Sequence, residues 1–277
     1  MKEFNKQIKR QPYKEVDRSQ KFSTKNEPSM TTLTTSWKLE HLNQYPNMYK
    51  AYNGFRSRFN IDESNFILTN GCENALPRAL QLFKDEVLYI ENPTWGMVEV
   101  ACEAWGVKYA ELPFHYKDGT FLPESADGLT VYTTDTYNNL FKHKNVKGYS
   151  KAIIDETYTM RKLMSGDPIP ENEIYIGSFS KFAGCGIRLG YILFNEKHAD
   201  FFHLLREQYL NPVATDFVCR HLDNFSLPEW DIPKACVSAH STYETYEKEN
   251  AGDLLEKPHK EFTVDEKEFI RIGRKLY

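Results

Sequence analysis

The stretch Ser178-Phe179-Ser180-Lys181-Phe182-Ala183-Gly184-Cys185-Gly186-Ile187-Arg188-Leu189-Gly190-Tyr191 says more about this chain than any other part of it. Its lysine is set among small residues and can fold back over a bound cofactor. Ser178 and Ser180 offer hydroxyls beside it. Arg188 offers a planar fork that matches a phosphate. Gly184 and Gly186 let the backbone turn sharply and come close to a ligand. The run Gly190-Tyr191-Ile192-Leu193-Phe194 that follows reads as a buried strand. A lysine placed in this way can form a Schiff base with a carbonyl compound.

Outward from this stretch the pattern alternates between short apolar runs and helical spacing. Strands are predicted at Phe66–Thr69, Val87–Ile90, Val107–Leu112, Leu129–Thr133, Ala152–Asp155, Ile174–Gly177 and Tyr191–Phe194. Helices are predicted at Tyr49–Phe59, from Ala75 to Phe83, at Trp95–Trp105 and at Ala199–Tyr209, where Asn211-Pro212 breaks the last one. Several of the strands are continuously apolar, which argues for a buried, mainly parallel sheet flanked by helices in an α/β domain. In such sheets ligands gather at the carboxyl ends of the strands. Residues 1–35 are polar and read as an extended arm. Residues 36–210 read as the large domain, and 211–277 as a shortened small domain whose one expected strand is Glu268–Ile272.

The bulk numbers narrow the function classes. The 277 residues are 40% hydrophobic and 14% aromatic, enough for a large core and a smaller lobe. A net charge of -4 gives no broad basic field for nucleic acid. The five cysteines are odd in number and form no C-x-x-C pair, which suits a reducing, cytoplasmic setting and argues against structural zinc. No apolar run approaches the roughly 18 residues of a membrane span, and the N-terminus lacks the apolar core of a signal peptide. The eight histidines show no metal-binding spacing, so no metal site is expected.

The stretch around Lys181 resembles the Ser-x-Ser-Lys-x-x-Gly-x-x-Gly-x-Arg-x-Gly-Tyr signature of the class I/II aminotransferases. These are fold-type-I enzymes that use pyridoxal 5'-phosphate (PLP). One family glycine is displaced by a residue, since the glycines here stand at 184 and 186. Further segments match in chain order. Asp155-Glu156-Thr157-Tyr158 resembles the Asp-Glu-x-Tyr motif and lies 26 residues before the lysine. The resemblance implies that Asp155 holds the ring nitrogen of PLP and that Tyr158 reaches the ring 3-oxygen. Thr69-Asn70-Gly71-Cys72-Glu73-Asn74-Ala75-Leu76 is similar to the family's phosphate loop. Gly71 and Cys72 would supply amides at a helix start, Ser178, Ser180 and Arg188 would complete the cup, and Glu73 is expected to point away. Asn92-Pro93-Thr94-Trp95 looks like the segment whose aromatic ring stacks on the cofactor, a role for Trp95.

Three more matches complete the set. The loop Thr133–Asn139 lacks the family's prolines and glycine; alignment of the strand before it puts Asn138 on the ring 3-oxygen, with Asn139 as the rival. Leu42-Asn43-Gln44-Tyr45-Pro46 resembles a segment prominent in histidinol-phosphate aminotransferases, in which a tyrosine reaches the partner's cofactor phosphate. Tyr45 would then make a homodimer with shared active sites part of the chemistry. Phe269-Ile270-Arg271-Ile272 resembles the segment whose arginine binds the substrate carboxylate, with Arg271 favoured over Arg274.

The resemblance implies a ping-pong transaminase of amino-acid biosynthesis. Lys181 would hold PLP as a Schiff base, and its freed amine would then move the proton. The amino group would pass from an amino acid or related amine to a 2-oxo acid. Decarboxylation or elimination on the same fold is an alternative. A non-catalytic PLP-binding relative is another, motivated by the short C-terminal part and the altered asparagine loop.

Overall fold

The computed structural model describes residues 43, 45–138, 140–181, 183, 185–224, 242–256 and 259–274. The arm expected over 1–35, and Phe182, Gly184 and Asn139, lie outside the described residues.

The first helix, α1 (Met48–Phe59), starts where the Asn47 side chain accepts a hydrogen bond from the Lys50 amide at 2.9 Å. It ends at Asn60, whose left-handed φ of 51° stops the spiral. Ala51, Tyr52, Phe55 and Phe59 recur at helical spacing and are buried. The chain then runs through β1 (Phe66–Thr69), α2 (Cys72–Leu82), β2 (Val87–Asn92), α3 (Met97–Trp105), β3 (Lys108–Lys117), β4 (Thr120–Pro123), β5 (Thr130–Thr134) and β6 (Lys151–Asp155). It continues with α4 (Arg161–Ser165), β7 (Glu173–Ser178), β8 (Gly190–Leu193), α5 (Ala199–Leu204) and α6 (Pro212–Arg220).

These strands form one mixed eight-stranded sheet in the order β1-β8-β7-β6-β5-β2-β3-β4. The middle five, β7-β6-β5-β2-β3, pair in parallel, whereas β8 runs antiparallel to both β7 and β1. The architecture is thus α/β with a mainly parallel sheet, as the apolar runs predict. Every residue of β1, β5 and β8 is buried, because helices and loops cover both faces.

Alternation along the strands sorts their side chains onto two faces. Phe66 and Leu68 of β1, with Tyr191 and Leu193 of β8, pack with Phe55 of α1 and Phe217 of α6. Ile67, Ile192, Tyr132 and Ile153 point the other way and pack with Ala75, Ala79 and Leu80 of α2 and Val98 of α3. Phe55, Phe66 and Phe217 are almost wholly buried. Truncation of such a phenylalanine to alanine costs about 3–5 kcal/mol.

A second sheet, of order β10-β11-β9, is antiparallel throughout: β9 (Thr242–Glu247), β10 (His259–Val264) and β11 (Lys267–Arg274). Phe262 and Phe269 pack it against Phe121 of β4 and Phe141. Asp265 pins it further, with one carboxylate oxygen accepting from Tyr116 N at 2.7 Å and the other 2.9 Å from His115 Nδ1.

The elements differ from the sequence reading in four places. The strand expected to end at Leu112 runs on to Lys117 and folds back as β4. The helix expected to reach Tyr209 stops at Leu204. Asn211-Pro212 does more than break that helix, since it begins α6: Asn211 Oδ1 accepts from Ala214 N at 2.9 Å, and Pro212 occupies the first turn, where a missing N–H costs nothing. Helix α6 follows the expected boundary at 210, yet it buries Phe217 and Val218 in the core beside α1. Finally, the C-terminal part contains three strands where one was expected.

Candidate active site

Strands β5, β6 and β7 are parallel, and their carboxyl ends carry Thr134, Asp155 and Ser178. The turn after β1 and the start of β8 lie at the same edge, because β1 and β8 pair antiparallel with Thr69 opposite Gly190. Most of the chain's candidate residues therefore converge on one cavity of about 200 Å³. Its wall contains Cys72, Trp95, Asp155, Tyr158, Ser178, Ser180, Lys181 and Arg188, together with Glu73, Thr94, Thr134 and Thr157.

Asp155 is the buried anion of the site. Its Oδ2 accepts from the Tyr132 hydroxyl at 2.8 Å, and its Oδ1 from the Thr157 amide at 2.8 Å. Cys72 Sγ stands 3.8 Å from Oδ2. Burial raises the carboxyl pKa of Asp155, against the pull of its bonds from Thr157 and Tyr132. Burial, then the Asp155 charge, pushes the Cys72 thiol well above its ordinary pKa. Thr157 Oγ1 is buried next to these groups outside hydrogen-bonding geometry to either, yet near enough to draw down the pKa of both Asp155 and Cys72. Lys181 lines the same cavity, with Nζ 5.3 Å from the centre of the Tyr158 ring. Tyr158 in turn packs on Tyr137, centroid to centroid 5.4 Å.

A cup forms at the start of α2. Gly71 caps α2 at φ 90° and ψ 170°, a region essentially closed to residues with a Cβ. A Cβ there would stand 2.7 Å from Arg188 Nη2, so the guanidinium lies directly over the helix start. Gly190 is as constrained: a Cβ would meet the Gly71 carbonyl carbon at 2.5 Å, so this residue lets β8 pass under the loop. Arg188 Nη1 donates to Ser180 Oγ at 3.4 Å, and Ser178 Oγ lies 2.8 Å from Ser180 Oγ. Glu73 does not point away as expected. It lines the cavity, 62% exposed, with its carboxylate 3.8 Å from Arg188 Nη2. An anion in the cup would compete with it for Arg188.

The remaining candidates lie off the cavity wall. Asn138 is fully buried; its carbonyl oxygen accepts from Leu140 N at 2.7 Å and Phe141 N at 3.0 Å, and its amide donates to Pro93 O. Tyr45 is 82% exposed and stacks on Tyr209 at 4.9 Å. Arg271 is buried in β11 between Lys260 and Thr245 of the neighbouring strands.

Sequence reasoning missed Tyr132, Thr94, Thr134 and Thr157. The motif Asp-Glu-x-Tyr leaves Thr157 as its variable position, so its hydroxyl drew no notice. Tyr132 lies opposite Ile153, two residues before Asp155 on the same face of β6. Side-chain parity could place it on a face, but only the pairing of β5 with β6 shows which face it shares.

Known proteins give the same direction. No family model matches the chain. A histidinol-phosphate aminotransferase of Pyrococcus furiosus is 22% identical over 187 residues, which cover 61% of this chain and 55% of that protein. The chain therefore spans little more than half the length of this curated relative. Among solved structures, L-threonine-O-3-phosphate decarboxylase of Porphyromonas gingivalis superposes with a TM-score of 0.63 at 16% identity, covering 90% of this chain and 93% of that one. Histidinol-phosphate aminotransferase of Sinorhizobium meliloti in complex with pyridoxal-5'-phosphate gives 0.56 at 15% identity, covering 70% and 60%. The chain has the fold of the fold-type-I PLP-dependent transferases, and its resemblance to their class I/II aminotransferases, carried by histidinol-phosphate aminotransferase relatives, extends from the sequence motifs to the architecture.

Proposed function

We propose that this chain is a PLP-dependent aminotransferase that moves an amino group from an amino acid or related amine to a 2-oxo acid. One observation carries the reading: an amine, a buried carboxylate and a set of phosphate donors line one cavity, supplied by Lys181, Asp155 and the group Ser178, Ser180 and Arg188, the last lying over Gly71 at the start of α2. The cavity's donor set fits the cofactor. Arg188, Ser178, Ser180 and the α2 amides at Gly71 and Cys72 suit a phosphate. Trp95 offers an aromatic face, and Asp155 a counter-charge for a ring nitrogen.

When bound, PLP supplies the electron sink that makes a Cα proton acidic. The protein's part is then positional. Asp155 keeps a proton on the ring nitrogen. Tyr158 stands beside Lys181 and steadies its amine. The Lys181 amine carries a proton to and from the substrate carbon. Residues 36–210 would form the cofactor domain and 211–277 the smaller one, with Arg271 receiving the substrate carboxylate. Asn138 would serve the ring 3-oxygen only after giving up a loop bond. The exposure of Tyr45 leaves its ring available to a second copy of the chain, which supports a homodimer with shared sites, and we place the enzyme in the cytoplasm. A second reading is decarboxylation on the same scaffold, the activity named for the neighbour from Porphyromonas gingivalis; a histidinol-phosphate aminotransferase of Clostridium acetobutylicum matches as fully, so the extent of the match does not choose between the two.

The test is borohydride reduction of the protein with excess PLP, followed by peptide mapping. The label is expected on Lys181 and absent in Lys181→Ala, with turnover lost. A wild-type protein that carries no pyridoxyl group on Lys181 refutes the proposal. Product analysis with and without a 2-oxo acid separates transamination from decarboxylation.

A further inference from the structure

Asp155 is held by more donors than a counter-charge needs. Its Oδ2 accepts the Tyr132 hydroxyl at 2.8 Å and lies 3.8 Å from Cys72 Sγ, while Oδ1 is tied to Thr157 N at 2.8 Å. Tyr132 is fully buried, on the strand next to that of Asp155. Cys72 comes from a third element, the first turn of α2. Burial and nearby carboxylates hold both Tyr132 and Cys72 well above their ordinary pKa values, so each remains a proton donor at neutral pH. A donor to a carboxylate stabilises its charge and makes it a weaker base.

We propose that the Tyr132 hydroxyl and the Cys72 thiol are positioning residues that fix the Asp155 carboxylate and draw charge from it, and so set how firmly it holds a proton on the ring nitrogen of the bound cofactor. The inference rests on the PLP reading above. The other groups that face this carboxylate act in known directions. Glu91, from β2, opposes its charge; the desolvated Tyr191 of β8 feels it as a repulsion on its own ionisation; the positive charge of Lys181 draws down the pKa of the neighbouring Cys72. None of these donates a hydrogen bond to Asp155, and the Thr157 hydroxyl, which also lowers its pKa, stands outside hydrogen-bonding geometry; Tyr132 and Cys72 are thus the side-chain donors through which its basicity can be changed without removal of a charge. The two differ in strength, since a thiol is a weak donor and a hydroxyl a better one. They therefore allow changes of opposite sign.

The experiment loads wild type, Tyr132→Phe and Cys72→Ser with PLP that carries 15N at the ring nitrogen, and follows its chemical shift against pH. Loss of the tyrosine hydroxyl makes Asp155 more basic, so the ring nitrogen keeps its proton to higher pH; a rise of about one unit in the midpoint is expected. Serine at 72 donates more strongly than cysteine and lowers the midpoint. Opposite shifts are not produced by general loosening of the site. Midpoints unchanged in both variants, or moved in the same direction, overturn the inference. If the wild type takes up no cofactor, the PLP reading fails by itself. The 13C carboxyl resonance of Asp155, assigned by its loss in Asp155→Asn, then decides the matter in the cofactor-free protein. It is expected to titrate at higher pH in Tyr132→Phe, and an unmoved titration refutes the role assigned to Tyr132.

Discussion

Gly71→Ala tests the cup with a single methyl group. The backbone at 71 sits at φ 90° and ψ 170°, where alanine pays about 1–3 kcal/mol that glycine does not. For a chain of this size each kcal/mol lowers the melting temperature by about 2–4 °C, so a fall of about 2–12 °C is expected. The methyl carbon would also stand 2.7 Å from Arg188 Nη2 and 3.1 Å from its Cζ. Contacts that short are relieved by movement of one partner. The strands beneath are buried, whereas the Arg188 side chain is 42% exposed and flexible, so the guanidinium is the group that yields. Its displacement removes one charge-assisted contact to a phosphate, a loss of about 1.5–3 kcal/mol, or about 10- to 100-fold in affinity. The assay is titration with PLP and with pyridoxal, which lacks the phosphate, beside thermal unfolding without either. PLP binding is expected to weaken by that factor and pyridoxal binding to stay as it was. Equal losses for both ligands would place the effect in the fold rather than the cup, and unchanged PLP affinity in a folded variant would refute the phosphate assignment.

Two further outcomes follow from groups outside the cavity. Glu156 is buried with its pKa pushed up to about 8, above the roughly 4.3 of a free glutamate. The folded state thus holds a proton that the unfolded state releases, and stability falls as pH rises from about 4.5 to about 8. Urea midpoints across that range should fall in wild type and fall less in Glu156→Gln; parallel profiles would remove Glu156 as the cause. Asn211→Ala removes the cap of α6 and the side-chain bond to Asn70 Oδ1 at 3.1 Å. The cap alone is worth about 0.5–2 kcal/mol, and a chemical-denaturation midpoint equal to wild type would show that α6 starts without it.

The fold was legible where apolar runs alone decide it. Ile153-Ile154 and Tyr191-Ile192-Leu193 can only be buried on both faces, and a row of such strands between helices has few arrangements. Two hairpins show where legibility ends. Asp118-Gly119, at φ 51° and 76°, makes a two-residue turn between β3 and β4, and this dipeptide is a strong hairpin signal that the strand prediction passed over. Asp265-Glu266, at φ 49° and 64°, makes the equivalent turn between β10 and β11 with no glycine. Its left-handed geometry is held by the bonds of Asp265 to β3, about 150 residues away in sequence. A window of local sequence carries no trace of that support.

The same division runs through the site. Lys181, Asp155, Gly71 and Arg188 could be named because each belongs to a short motif that fixes residue type and order. Whether a named residue is available to a ligand depends on what its polar atoms already do. Asn138 has the right side chain in the right segment, but both ends of its amide hold its own loop and Pro93. Thr157 attracted no attention, yet its hydroxyl is buried at the cavity with no partner. A buried hydroxyl without a bond costs about 1–3 kcal/mol, a cost that a ligand atom with a lone pair or a proton to share would remove. Residue type was therefore readable from the chain, whereas hydrogen-bonding capacity left over after folding was not, and it is this remainder that a cofactor meets.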